Sequence, residues 1–64
     1  MIKGIEEQEK VYLIETINDL VIRITGESLS ENQIAKRLSW SVDKLREEKD
    51  NKLFAYKVYN TGWN

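Results

Sequence analysis

Residues 29–52 read LSENQIAKRLSWSVDKLREEKDNK, and the start signals inside them decide the fold. Ser30 is placed to cap a helix, and Gln33 three residues on can reach back to close a capping box. Leu29 before that cap and Ile34 after it stand at the spacing of a hydrophobic staple. The device recurs eleven residues later: Ser41 is a second cap, with Trp40 and Leu45 as its staple pair, although Lys44 cannot complete the box. Only Ser39, Trp40 and Ser41 separate the two helices, so they must bend sharply against one another. That pattern predicts a helix-turn-helix, with helices over about 31–38 and 42–50. Ile34, Ala35 and Leu38 are expected inward on the first, Ala35 being small to allow a close crossing. Val42 and Leu45 are expected inward on the second.

Upstream, residues 5–25 carry a helical pattern, with Leu13, Ile17, Leu20, Val21 and Ile24 on one face. Acids crowd its first turns, Arg23 sits in its last, and Gly26 supplies the stop. Met1 to Gly4 is expected to fray. Val11, Ile14 and Ile22 lie off the stripe and widen the apolar surface, either to pack under a C-terminal sheet or to form a dimer face. The β-branched run Val21 to Thr25 leaves the helix end open by a turn. Downstream, Leu53-Phe54-Ala55-Tyr56-Lys57-Val58-Tyr59 is rich in aromatic and β-branched residues and alternates in period two, which predicts a strand. Asn60-Thr61-Gly62 reads as a turn. Only Trp63 and Asn64 follow, so the returning strand of a hairpin is a stub, or the chain is cut from a longer one.

With 64 residues the chain is one domain, and a domain of this size buries only roughly 60% of its unfolded surface. It has no cysteine and no histidine, which excludes disulfides and the usual zinc sites. A second copy or a longer parent chain is the remaining source of stability. At 41% apolar and 33% charged residues the composition is globular, without a membrane span or signal peptide, and implies a cytoplasmic protein. No nucleophile–base pair, Gly-rich phosphate loop or converging carboxylate pair occurs, so we expect no enzyme, no cofactor, no metal and no small-molecule ligand. Net charge is −1, yet unevenly spread. Residues 1–28 hold three bases (Lys3, Lys10, Arg23) against six acids, whereas residues 29–64 hold seven bases against five acids.

The segment IAKRLSWSVDKLREE, followed by NKLFAYKVYNTGW, resembles the winged helix-turn-helix domains of prokaryotic and phage regulators. The likeness rests on the small Ala35, the apolar Trp40 at the turn, the capping Ser41 and the apolar Leu45. Two positions depart from it: Ser39 replaces the frequent turn glycine, and Glu48 stands where a further apolar residue is common. The resemblance implies a mainly α fold with a small β-wing, spanning 1–64 as one domain. It implies a sequence-specific duplex DNA-binding protein, a small transcription regulator or phage or plasmid accessory factor. Helix 41–50 would enter the major groove and the wing 53–63 would lie on the backbone. Ser41, Lys44 and Arg46 are then the base-contact candidates, with Arg46 suited to grip guanine in two places. Lys36, Arg37, Lys49, Lys52, Lys57, Asn60 and Thr61 are the backbone-contact candidates. A homodimer would form through helix 5–25 or strand 53–59. Two alternatives stand beside this one: a protein-interaction module on a helix-turn-helix scaffold, and the DNA-recognition piece of a larger replication or recombination protein. Trp40 is read as core; Tyr59 and Trp63 as wing packing or exposed contact.

Overall fold

The computed structural model describes residues 2–61, with side chains placed for residues 5–59. Three helices account for nearly all of it: α1 (Ile2–Thr25), α2 (Glu31–Leu38) and α3 (Val42–Thr61). Helix α1 already includes Ile2 to Gly4, so the expected frayed start is helical from residue 2, and its end at Thr25 falls where the sequence placed it. Gly26 follows with φ +86, and its N–H donates to the Ile22 carbonyl at 2.7 Å. A left-handed residue here lets the chain reverse, and glycine adopts that conformation without a Cβ penalty. The Asn18 side-chain carbonyl then accepts the Leu29 N–H at 2.7 Å, tying the bridge back onto α1.

The local chemistry read for α2 and its turn is present in full. Gln33 N–H donates to Ser30 Oγ and Gln33 Oε1 accepts from Ser30 N–H, completing the capping box. Ser39 ends the helix at φ −87, ψ −5, in the right-handed region, so the turn does not require the glycine that often stands there. Ser41 starts α3: its Oγ accepts the Lys44 N–H and its carbonyl the Leu45 N–H.

The β-wing is overturned. Among the described residues there is no strand; α3 runs unbroken through Asn51-Lys52 and Leu53 to Tyr59, and Asn60 and Thr61 are its last residues rather than a turn. The fold is all-α with three helices, not a winged one. A lone strand at 53–59 would leave its N–H and C=O groups without a ladder, whereas continuing the helix pairs them within the segment. Asn51 is only a mediocre helix former, and neither glycine nor proline occurs from Val42 to Thr61. Gly62, Trp63 and Asn64, and with them the rest of the wing reading, lie outside the described residues.

Helix α1 is the hub, packing along α3 and more briefly on α2. Glu9 of α1 meets Arg46 of α3, and Arg23 of α1 lies 6.0 Å from the Tyr56 ring of α3, so the two long helices run parallel. Leu38 faces Glu7, Lys10 and Val11 while Leu29 sits at Asn18, so α2 runs back between them. The core gathers Leu13, Ile14, Ile17, Leu29 and Leu45, with Val21, Ile34, Trp40 and Val42 packed against it. Ile14, read as off the stripe, is buried because α2 covers its side of α1. Ala35 and Leu38 are exposed instead of inward: of the three, α2 packs only Ile34 against the core, and that partly buried.

The result is elongated, at 47 × 20 × 13 Å. Its radius of gyration of 12.8 Å exceeds the roughly 10.7 Å expected for a compact chain of this length. Its accessible surface of 5076 Å² likewise exceeds by about 800 Å² what its mass predicts for a compact monomer.

Candidate functional site

The proposed recognition helix meets the solvent with an acidic stripe. Positions 43, 47, 50 and 54 recur at steps of four, three and four, which places them on one helix face, and all four are exposed. They are Asp43, Glu47, Asp50 and Phe54, opposite the face that Leu45 presses on α1. A phosphate backbone approaching α3 head-on would meet three carboxylates first.

Most of the basic candidates lie against other groups of the same chain. Arg37 is the clearest case. Its Nε donates to Glu48 Oε1 at 2.8 Å and its Nη2 to Glu48 Oε2 at 2.6 Å, a two-pronged pair joining α2 to α3. Nη1 adds a bond to the Gln33 carbonyl at 3.1 Å. Both side chains are largely buried, at 12% and 14% exposure. Arg37 therefore belongs to the fold rather than to a phosphate. Glu48 gains its meaning here: the acid in an apolar position is the partner that Arg37 requires.

Arg46, the favoured base reader, pairs with Glu9 across the α1–α3 seam while staying half exposed. Lys52 reaches to 4.0 Å of Glu48, and Lys49 to 4.0 Å of Asp50. Lys44 rests its ammonium 4.3 Å from the Trp40 ring centroid, and the Arg37 guanidinium lies 5.0 Å from the same ring. Trp40 is thus half-buried, packed on the core and covered by two cations, an arrangement that favours neither base stacking nor full burial. Ser41 is committed to its cap. Lys36 is exposed on α2, and Lys57 lies on the outer side of α3. The side chains of Asn60 and Thr61 lie outside the described ones. The structure therefore brings Ser41 and Lys44 together at the start of α3, leaves Lys36 on the exposed side of α2, and disperses Arg46, Lys49, Lys52 and Lys57 along α3.

Among the described residues apolar surface remains uncovered at several places, Ile5 and Tyr12 of α1 included, and two of them bear on function. Between α1 and α2 a groove of about 270 Å³ is lined by Val11, Ile14, Glu15, Asn18, Ile34 and Leu38, with Val11 and Leu38 close to half exposed. On the distal half of α3, Phe54 is 69% exposed and Val58 50%. Of the competing uses for the surplus apolar surface of α1, packing under a sheet is removed with the sheet. Among the described residues no group of acids has metal-holding geometry, and no helix is long and apolar enough to cross a membrane.

Comparison with protein-family models, with curated proteins and with solved structures found no match. The outward register of α3 was readable from the spacing 43-47-50-54; reading 53–59 in period two hid it.

Proposed function

We propose that this chain is a non-enzymatic, cytoplasmic protein-interaction module in which the helix-turn-helix serves as scaffold. The observation that carries the reading is the outward face of α3, where Asp43, Glu47 and Asp50 stand centred and exposed. Each would repel a phosphate at about 7 Å by roughly 0.6 kcal/mol even in bulk water. Arg37 and Arg46, the two guanidinium groups best suited to phosphate or guanine, already hold Glu48 and Glu9. The same reading is supported by the open apolar groove between α1 and α2 and by the exposed Phe54 and Val58 of α3, surfaces of the kind that partners cover.

A second reading, a small DNA-binding regulator of prokaryotic or phage type or a DNA-recognition piece of a larger protein, is favoured by the turn. There Lys36 of α2 and Lys44 in the first turn of α3 are both exposed, with the exposed Asp43 beside Lys44. Titration of mixed-sequence duplex into the full chain at low and moderate salt separates the two. The interaction reading expects weak or undetectable binding, unaffected by Arg46→Ala. Binding that weakens steeply with salt, with Arg46→Ala removing roughly 1–3 kcal/mol of specific affinity, would overturn it in favour of the second.

A further inference from the structure

The groove between α1 and α2 gathers apolar residues that the core leaves over. Ile14 and Ile34 lie deeper in it, and Val11 and Leu38, both about half exposed, form its walls. Val11 and Leu38 also line a continuation toward Glu7 and Lys10, so the cleft is open-ended. Along α1 it runs from Glu7 to Asn18, about 16 Å or three helical turns. Its central pocket of about 270 Å³ falls short of the roughly 300–1,000 Å³ of sites that enclose a small molecule. An elongated occupant that sends side chains into the cleft fits this shape better than a compact ligand.

Backbone chemistry and charge say what that occupant is. Both walls are helices, and among the described residues there is no strand edge to extend. A strand laid here would set its N–H and C=O groups against apolar side chains, whereas a helix pairs them within itself. Ala35 and Arg37, two residues apart, stand on opposite flanks of α2: Arg37 holds Glu48 of α3, and the small, exposed Ala35 keeps the other flank low. Glu7 and Glu15 line the cleft one turn to either side of Val11, and Glu31 extends the α2 line of Ile34 and Leu38. All three acids are exposed, and among the described side chains none is held in an ion pair. Lys10, half-buried, is the base on the lining, so the cleft is acidic on balance. Resting on the interaction reading above, we infer that this groove receives a helix of a partner protein whose apolar face is flanked by lysine or arginine. Its apolar anchors, at steps of three and four, enter between Val11 and Leu38, and bases one turn to either side meet Glu7 and Glu15.

The probe is a synthetic helix of about 14 residues with leucines at steps of three and four and lysines on both flanks, beside the same peptide with glutamate for lysine. Added to the full chain, the lysine peptide should bind roughly tenfold tighter than the glutamate peptide and shift the amide resonances of Val11, Glu15 and Leu38. Val11→Asp and Leu38→Asp, with helix content checked by circular dichroism, should each abolish binding; both side chains are about half exposed, so the fold tolerates the change. Glu7→Lys combined with Glu15→Lys should reverse the preference between the two peptides. Equal binding of both peptides, or none of either up to about 1 mM, overturns the inference. So does binding that survives in folded Val11→Asp and Leu38→Asp proteins but is lost in Asp50→Lys, which would put the peptide on α3. A dimer by sedimentation equilibrium that Val11→Asp converts to a monomer would make a second copy the occupant and overturn it as well. The interaction reading stands through each of these results and falls by its own, the salt-dependent duplex binding described above.

Discussion

Replacing Glu48 by alanine removes both acceptors of the Arg37 fork and leaves a guanidinium at 12% exposure with only the Gln33 carbonyl and the Trp40 ring. Breaking a fully buried pair costs roughly 3–5 kcal/mol and breaking a solvent-exposed one at most about 1 kcal/mol. This pair is mostly buried yet retains some contacts, so the expected loss is about 2 kcal/mol. Set against a total stability of about 3–10 kcal/mol for 64 residues, that is a large fraction. With a urea slope near 1 kcal/mol per M for a chain this small, the midpoint should fall by about 2 M. Urea titration followed by circular dichroism and by tryptophan fluorescence reads it, Trp40 lying beside the affected group. Arg37→Ala should cost less, because Glu48 keeps Lys52 at 4.0 Å and lies where that lysine can close in. The double variant should reveal a coupling of about 1–2 kcal/mol. A midpoint shift under about 0.5 M, or a coupling near zero, would show that Arg37 and Glu48 behave as a surface pair, and Arg37 would return to the list of phosphate candidates.

Other substitutions test other parts of the argument. Leu45→Ala empties the one α3 side chain with no exposure and should cost about 3–5 kcal/mol, leaving a thermal melt that begins near room temperature. Gly26→Ala meets no atom within 4 Å, so its expected loss of about 1 kcal/mol comes from the left-handed backbone alone, read as a lower melting midpoint with unchanged helix content. Ser30→Ala opens the capping box and should cost about 1 kcal/mol in the same assay. Ala55→Pro asks whether α3 is helical beyond Lys52: far-ultraviolet circular dichroism should lose the signal of the distal turns, whereas an unchanged spectrum would bring an extended segment back into consideration.

The parts of this fold that were legible in the sequence are those set by nearest neighbours. Ser30, Gln33, Ser41 and the two staple pairs fixed α2, the turn and the start of α3, because a cap is a bond between residues three apart. Gly26 marked the end of α1 for the same reason. What local chemistry does not carry is how far a started helix continues. Phe54, Tyr56 and Val58 prefer a pleated surface by less than 1 kcal/mol each, a preference that hydrogen bonds and packing from an existing helix readily outweigh. A spacing argument was available: Leu45, Lys52 and Tyr56 stand at i, i+7 and i+11, and these positions turn toward α1, where Tyr56 meets Arg23. The surroundings of the candidate site were legible only in part. Positive residues were legible, but their acid partners Glu48 and Glu9 lie eleven and thirty-seven residues away, distances over which sequence spacing says nothing. Acids within α3 were legible as neighbours of its lysines, but the pairing of Arg37 with Glu48 and of Arg46 with Glu9 was not.

The core of this protein lies at one end. Leu13, Ile14, Ile17, Leu29 and Leu45 hold the half of the bundle where all three helices meet, while the far half is two helices with the buried Leu20 and the Arg23–Tyr56 contact. Under the proposed interaction reading, folding and recognition by the distal turns of α3 would fall to different halves of one rod. The outward residues of the distal turns of α3 can then be exchanged with little effect on whether the chain folds, whereas those turns stay helical only while the other end is folded.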